Sequence, residues 1–168
     1  MVNKSEQPGM DDDEKGASGK RVPDVIAEHK DWVVGAWLQR TKAHPELSIV
    51  KLSDVERKDH VPDLLDEAVA RACEHPVKLD ERQRAAERHG TLRYHQRFSI
   101  SMLILEAQIL QEVVAECIRD HVNVIDIKKL MPDITKISGT ITAELKDAAS
   151  AYMKQYEWQA VRPDQRTH

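Results

Sequence analysis

SISMLILEAQILQEVVAECIRDHV, residues 99–122, decides the fold. Met102, Leu103, Ile104, Leu105, Ile109, Leu110, Val113, Val114, Cys117 and Ile118 recur at helical steps and nearly encircle the helix they generate. A helix that is apolar on most sides is packed by several neighbours, so this one is central. Glu106 breaks the pattern. A lone carboxylate is expensive to bury, so Glu106 must be paired, protonated or turned toward a cavity. Arg93 and His89, one turn apart on the preceding helix, are its candidate partners. Either the three residues fix the packing of two helices or they serve a ligand-sensing role; both readings stay open.

The flanking sequence supplies four more helices. Val25, Ile26, His29, Trp32, Val33, Ala36 and Trp37 make one broad apolar face after Pro23, ending near Thr41 ahead of His44-Pro45. Ser53 and Glu56 form a capping box for a second helix. Pro62 must kink or restart it, and Leu64, Leu65, Ala68, Val69 and Ala72 then carry the apolar face to His75-Pro76. A third helix spans about 80–94, with Ala85, Ala86, His89 and Leu92 inward; its Gly90 is costly unless a close contact needs it. The fifth runs from about 126 to 158 along Leu130, Ile134, Ile137, Ile141, Leu145, Ala148, Tyr152 and Tyr156, with Pro132 bending its first turns and Gly139 a weak point. No run alternates like a strand. The expected fold class is all-α: a five-helix, single-domain bundle over 22–160. An acidic tail (1–21) and a short C-terminus (161–168) are too poor in apolar residues to order themselves.

Composition narrows the function. The net charge of -4 gives no electrostatic reason to bind nucleic acid. The most apolar stretch, Ile100–Leu110, is interrupted by Ser101, Glu106 and Gln108 and is too short to span a bilayer. The arginine-bearing stretch 82–97 is offset by Asp80, Glu81 and Glu87 and reads as a solvated face. Cys73 and Cys117 match no metal-ligand spacing and read as buried thiols of a reduced, cytoplasmic protein. The eight histidines are scattered. No Glu-x-x-His pair, HExxH, P-loop or GxSxG occurs, so neither enzyme chemistry nor a metal or other cofactor is expected.

His89-Gly90-Thr91-Leu92-Arg93, then Phe98-Ser99-Ile100-Ser101-Met102-Leu103-Ile104-Leu105-Glu106 and Leu110, resembles the N-terminal domain of the RsbR and RsbRD stressosome co-antagonists, found also ahead of bacterial sensor histidine kinases. Asp59-His60-Val61-Pro62-Asp63-Leu64-Leu65 and Trp37-Leu38 extend the likeness, which covers about 24–157. It implies a globin-like helical fold without haem, dimeric, and used as the non-catalytic input module of a signalling protein. One departure lies at Gln96-Arg97, where a small residue or glycine is more usual in that family. No STAS domain, phosphoacceptor box or ATP-binding glycine motif is present downstream, leaving a kinase fragment and a stand-alone sensor both open. Two alternatives also stay open. One is a haem- or tetrapyrrole-binding globin relative using His29, His89 or His121. The other is a helical adaptor that binds a signalling partner through the acidic run 11–14.

The last helix carries more apolar stripe than a small domain can cover. Surplus apolar surface on terminal elements marks an interface, and symmetric pairing is the commonest way to bury it. A homodimer is therefore expected, with Trp32, Trp37, Tyr152, Tyr156 and Trp158 at its interface.

Overall fold

In the computed structural model, residues 19–76 and 78–161 are described. They form α1 (Val22–Glu28), α2 (Lys30–Ala43), α3 (Asp54–Lys58), α4 (Val61–Ala72), α5 (Leu79–His95), α6 (Ile100–Asp120) and α7 (Ile127–Ala160), with 3-10 turns at Leu47–Ile49 and Val122–Val124. The fold is all-helical. Seven α-helices stand where five were expected, and both additional boundaries have local causes. The expected first helix breaks at His29, whose φ of -108° and ψ of 16° leave the α region. The second breaks at Asp59, and Pro62 then sits in the first turn of α4, where no acceptor waits for its missing N–H.

The capping box read from sequence is present, and α6 has a serine cap of its own. Ser53 Oγ accepts the Glu56 N–H while Glu56 Oε2 accepts the Ser53 N–H at 2.8 Å, closing the box that starts α3. Ser99 Oγ accepts the Met102 N–H at 3.2 Å and starts α6.

The main core gathers side chains from α1, α2, α4, α6 and α7, among them Trp37, Leu65, Leu110, Val113 and Ile137, all nearly inaccessible. Burying each such side chain stabilises the fold by about 1.5–3 kcal/mol. A smaller cluster of Leu103, Ala148 and Tyr152 joins the start of α6 to α7, with Tyr94 of α5 packed against it. Gly90 explains how closely α5 and α7 approach: a Cβ there would overlap the Ala148 carbonyl. Among the described residues, no helix is long and apolar enough to cross a membrane.

Three expectations need correction. Lys20 and Arg21, assigned to the acidic tail, are docked. Lys20 pairs with the chain at 124–126 through two backbone hydrogen bonds of 2.8 Å, and the Arg21 guanidinium pairs with buried Asp133. Leu92, expected inside, is 38% exposed, and its neighbour Arg93 is fully buried instead. Trp37 and Tyr152, assigned to a dimer interface, are interior to one chain: the indole N–H of Trp37 donates to Glu106 O and the Tyr152 hydroxyl to Phe98 O. Trp32, Tyr156 and Trp158 are exposed. The acidic run 11–14 and the C-terminus beyond Val161 lie outside the described residues.

Candidate functional site

Most of the buried charges among the described residues collect where α3, α4, α5, α6 and α7 meet, Asp133 with its partner Arg21 lying apart. Arg93, on α5, is their anchor. Its Nε donates to Glu106 Oε2 at 2.9 Å, NH1 to Gln96 Oε1 at 2.7 Å and to Glu56 O at 3.2 Å, and NH2 to Arg57 O at 2.8 Å. The guanidinium also lies over the Phe98 ring, 4.8 Å from its centroid. Its two carbonyl partners belong to the last turn of α3, so a cation satisfies helix-end acceptors there. Burial pushes the Glu106 carboxyl upward against the pull of Arg93. Its second oxygen, Oε1, is buried without a hydrogen bond among the described residues.

The clamp on α3 fixes the turn into α4. Asp59 reverses the chain there with φ 37° and ψ -114°, a conformation that favours glycine and costs a non-glycine residue on the order of 1–3 kcal/mol. His60 then caps α4. These two residues meet His89, one turn before Arg93 on α5, and Glu144, one turn before Ala148 on α7. Asp59 Oδ2 lies 3.1 Å from His89 Nδ1 and 3.4 Å from His60 Nδ1. His60 Nε2 lies 3.0 Å from Glu144 Oε1, and the imidazoles of His60 and His89 are tilted at 39° with centroids 3.6 Å apart. His89 and Glu144 are buried. Although close to each other's neighbours, Glu144 Oε1 and His60 Nδ1 are off the hydrogen-bonding directions and make no hydrogen bond among the described residues.

Charge is divided unequally between the rings. Burial lowers His60, but Asp59 and Glu144 outweigh it and carry its pKa up to about 9. Burial, reinforced by the charge of His60, takes His89 down to about 4 despite Asp59. The pair therefore holds one proton across the neutral range, on His60. His60, 3.4 Å away, and His89, hydrogen-bonded at 3.1 Å, hold Asp59 far below the usual carboxylate range. Burial would raise Glu144, and His60 overcomes it, leaving that carboxyl low as well.

The cluster is open on one side to a cleft of about 790 Å³, whose walls include Asp63, Leu64, Glu67, Arg82 and Glu87. Arg82 ties this wall to α7 through Asp147 at 3.2 Å. Elsewhere, His29 and His121 stack on each other at 4.0 Å and line no part of the cleft. Burial raises the Cys117 thiol, which weakens it as a nucleophile.

Of the residues singled out from sequence, Arg93 and Glu106 are joined as expected, while His89 belongs to the neighbouring group. Asp59, His60 and Glu144 were not singled out as site residues. The sequence signals for the first two are the forced restart at Pro62 and their place in the 59–65 stretch that carries the family resemblance; Glu144 gives none, because a carboxylate on a long charged helix looks solvated. The expectation of no metal site rested on spacing along the chain, and the fold assembles Asp59, His60 and His89, donors from two separate segments, within 4.8 Å of one another. Compared with protein-family models, with curated proteins and with solved structures, the chain matches none.

Proposed function

We propose that this chain is a non-catalytic input domain of a bacterial signal-transduction protein, of the histidine-kinase or stressosome type, acting as a homodimer in the cytoplasm. The reading includes a globin-like arrangement without haem and an output module or signalling partner that receives the state of α7. One observation carries it. Glu144, which closes the buried cluster, lies on the helix that continues 16 residues further to Ala160 and ends among exposed Met153, Tyr156 and Trp158. At 1.5 Å per residue the cluster is thus connected by one rigid element to an apolar end about 24 Å away. A change of charge or occupancy at Glu144 alters what holds α7, and the far end of the helix reports it. The wide, polar-floored cleft suits a ligand-responsive group better than an adaptor that works only through its acidic tail.

The dimer is the testable part. Sedimentation at about 10 µM and at ten times that concentration should give a species of about 38 kDa. Replacing Tyr156 and Trp158 with serine should return it to the 19.2 kDa monomer without loss of helicity. A wild-type chain that stays at 19.2 kDa throughout removes the basis for this route.

A further inference from the structure

The Asp59–His60–His89 group has the donors and the shape of a metal site. Two imidazoles and a carboxylate are the ligands that first-row transition metals prefer, and they disfavour Mg²⁺ and Ca²⁺, which seek oxygen alone. Ligands about 2.1 Å from one ion stand about 3.0–3.4 Å apart at tetrahedral or octahedral angles. Asp59 Oδ2 is already 3.1 Å from His89 Nδ1 and 3.4 Å from His60 Nδ1. The His60 nitrogen facing this carboxylate is buried and makes no hydrogen bond among the described residues, so an ion that displaces the His60 proton to solvent meets a lone pair committed to no other partner. The opposite nitrogen faces Glu144 at 3.0 Å. That is the arrangement in which a carboxylate behind a histidine sets its tautomer and aims it at a metal. Glu144 is itself buried, with Oε1 unsatisfied and directed into the cluster. Two carboxylates and two neutral imidazoles match a divalent charge, and Arg93 adds none, being neutralised by Glu106. The strained backbone at Asp59 holds its carboxylate against the Nδ1 atoms of both rings.

We propose that Asp59, His60 and His89 bind one divalent transition-metal ion of the Zn²⁺ or Fe²⁺ class, with Glu144 orienting His60 and the remaining coordination positions facing the cleft. Three protein ligands leave the ion open to water or to a small anion entering from that side. The site stands on its own geometry; it rests on the input-domain reading only for its consequence, that metal occupancy is what α7 senses.

The test is calorimetric titration of the metal-free 168-residue chain with Zn²⁺, with Co²⁺ as a spectroscopic probe. One equivalent should bind, Co²⁺ should develop visible d–d bands, and Mg²⁺ should not compete. Asp59→Asn, which keeps side-chain size, and the double variant His60→Gln/His89→Gln should abolish the saturable phase. Glu144→Gln should weaken it about 10- to 100-fold. His29→Gln/His121→Gln, which alters the other histidine pair, should bind as wild type. Circular dichroism checks that each variant is folded, and Asp59→Asn decides the matter if the double variant is not. Wild-type chain that takes up no Zn²⁺, or folded Asp59→Asn that binds it undiminished, overturns the site. Sedimentation with and without Zn²⁺ separates the two claims. Binding with no effect on association or on α7 overturns metal sensing and supports the site, whereas a dimer that takes up no Zn²⁺ overturns the site and leaves the input-domain reading standing.

Discussion

The two halves of this molecule are stabilised in opposite ways. Around α2 and α6, Trp37, Leu110, Val113 and Leu47 are packed almost without exposure, and the Trp37 N–H is matched by Glu106 O. Where α5 and α7 meet the turn between α3 and α4, the interior is filled by Arg93, Glu106, His89 and Glu144. There Glu106 Oε1, Glu144 Oε1 and His60 Nδ1 are left without hydrogen bonds among the described residues, and Asp59 sits in strained backbone. Each unsatisfied buried group costs about 1–3 kcal/mol. A chain selected only for stability would not accumulate these features in one place. Local rules are broken together at functional sites and compensated elsewhere, here by the apolar half.

The largest effects separate the two halves by mechanism. Leu110→Ala should cost about 2–5 kcal/mol through a cavity, and Arg93→Ala about 3–5 kcal/mol through a stranded Glu106 charge. Urea unfolding at pH 7 and at pH 4 distinguishes them: acid, by protonating Glu106, should relieve much of the Arg93→Ala defect relative to wild type and none of the Leu110→Ala defect. Equal pH responses would break the comparison.

Gly90→Ala comes next. It drives a methyl into the Ala148 carbonyl and so must push α5 from α7, costing about 1–3 kcal/mol. Gly139→Ala, a like change on a helix with nothing within 4 Å, should instead stabilise by up to about 1 kcal/mol. Thermal melts of the two variants should therefore move in opposite directions.

The histidine pair gives an effect read from its pH dependence in the metal-free chain. His60 is raised to about 9, so its contribution is full below the unfolded value near 6.5 and is lost as pH rises toward 9. His89 is depressed to about 4, so its contribution is present above 6.5 and is lost as pH falls toward 4. Asp59 and Glu144, both depressed, add to the loss on the acid side. Stability measured with a chelator should therefore peak near pH 6.5, and His60→Gln/His89→Gln should remove the decline between pH 7 and 9.

The same contrast explains what the sequence discloses. Apolar periodicity reads out α6 and the stripe of α7 because packing imposes it on neighbouring turns. Glu106 is legible as a problem, since one carboxylate in an apolar helix demands a partner, and Arg93 is near enough to be found. The cluster at Asp59 is not legible. Its members come from α4's cap, α5 and α7, and only the approach that Gly90 allows brings Glu144 to His60. Arg97 is a further case: it adopts φ 67°, a left-handed backbone that favours glycine, yet nothing in the composition of that turn announces it. Trp37 and Tyr152 show the reverse error. Their spacing suggested surplus surface because the pattern of one helix does not show how many neighbours will cover it.

The central claim is that the polar half is maintained for binding and not for stability, and one variant tests it directly. Asp59→Gly relieves the strained turn, while His60→Leu, His89→Leu and Glu144→Leu replace the buried charges with apolar volume. Urea unfolding of the chain carrying all four changes should show a cooperative transition at an equal or higher midpoint, by up to about 1–4 kcal/mol, with Zn²⁺ uptake gone. A variant that loses several kcal/mol, or no longer unfolds cooperatively, would show that the cluster is there to hold the fold together.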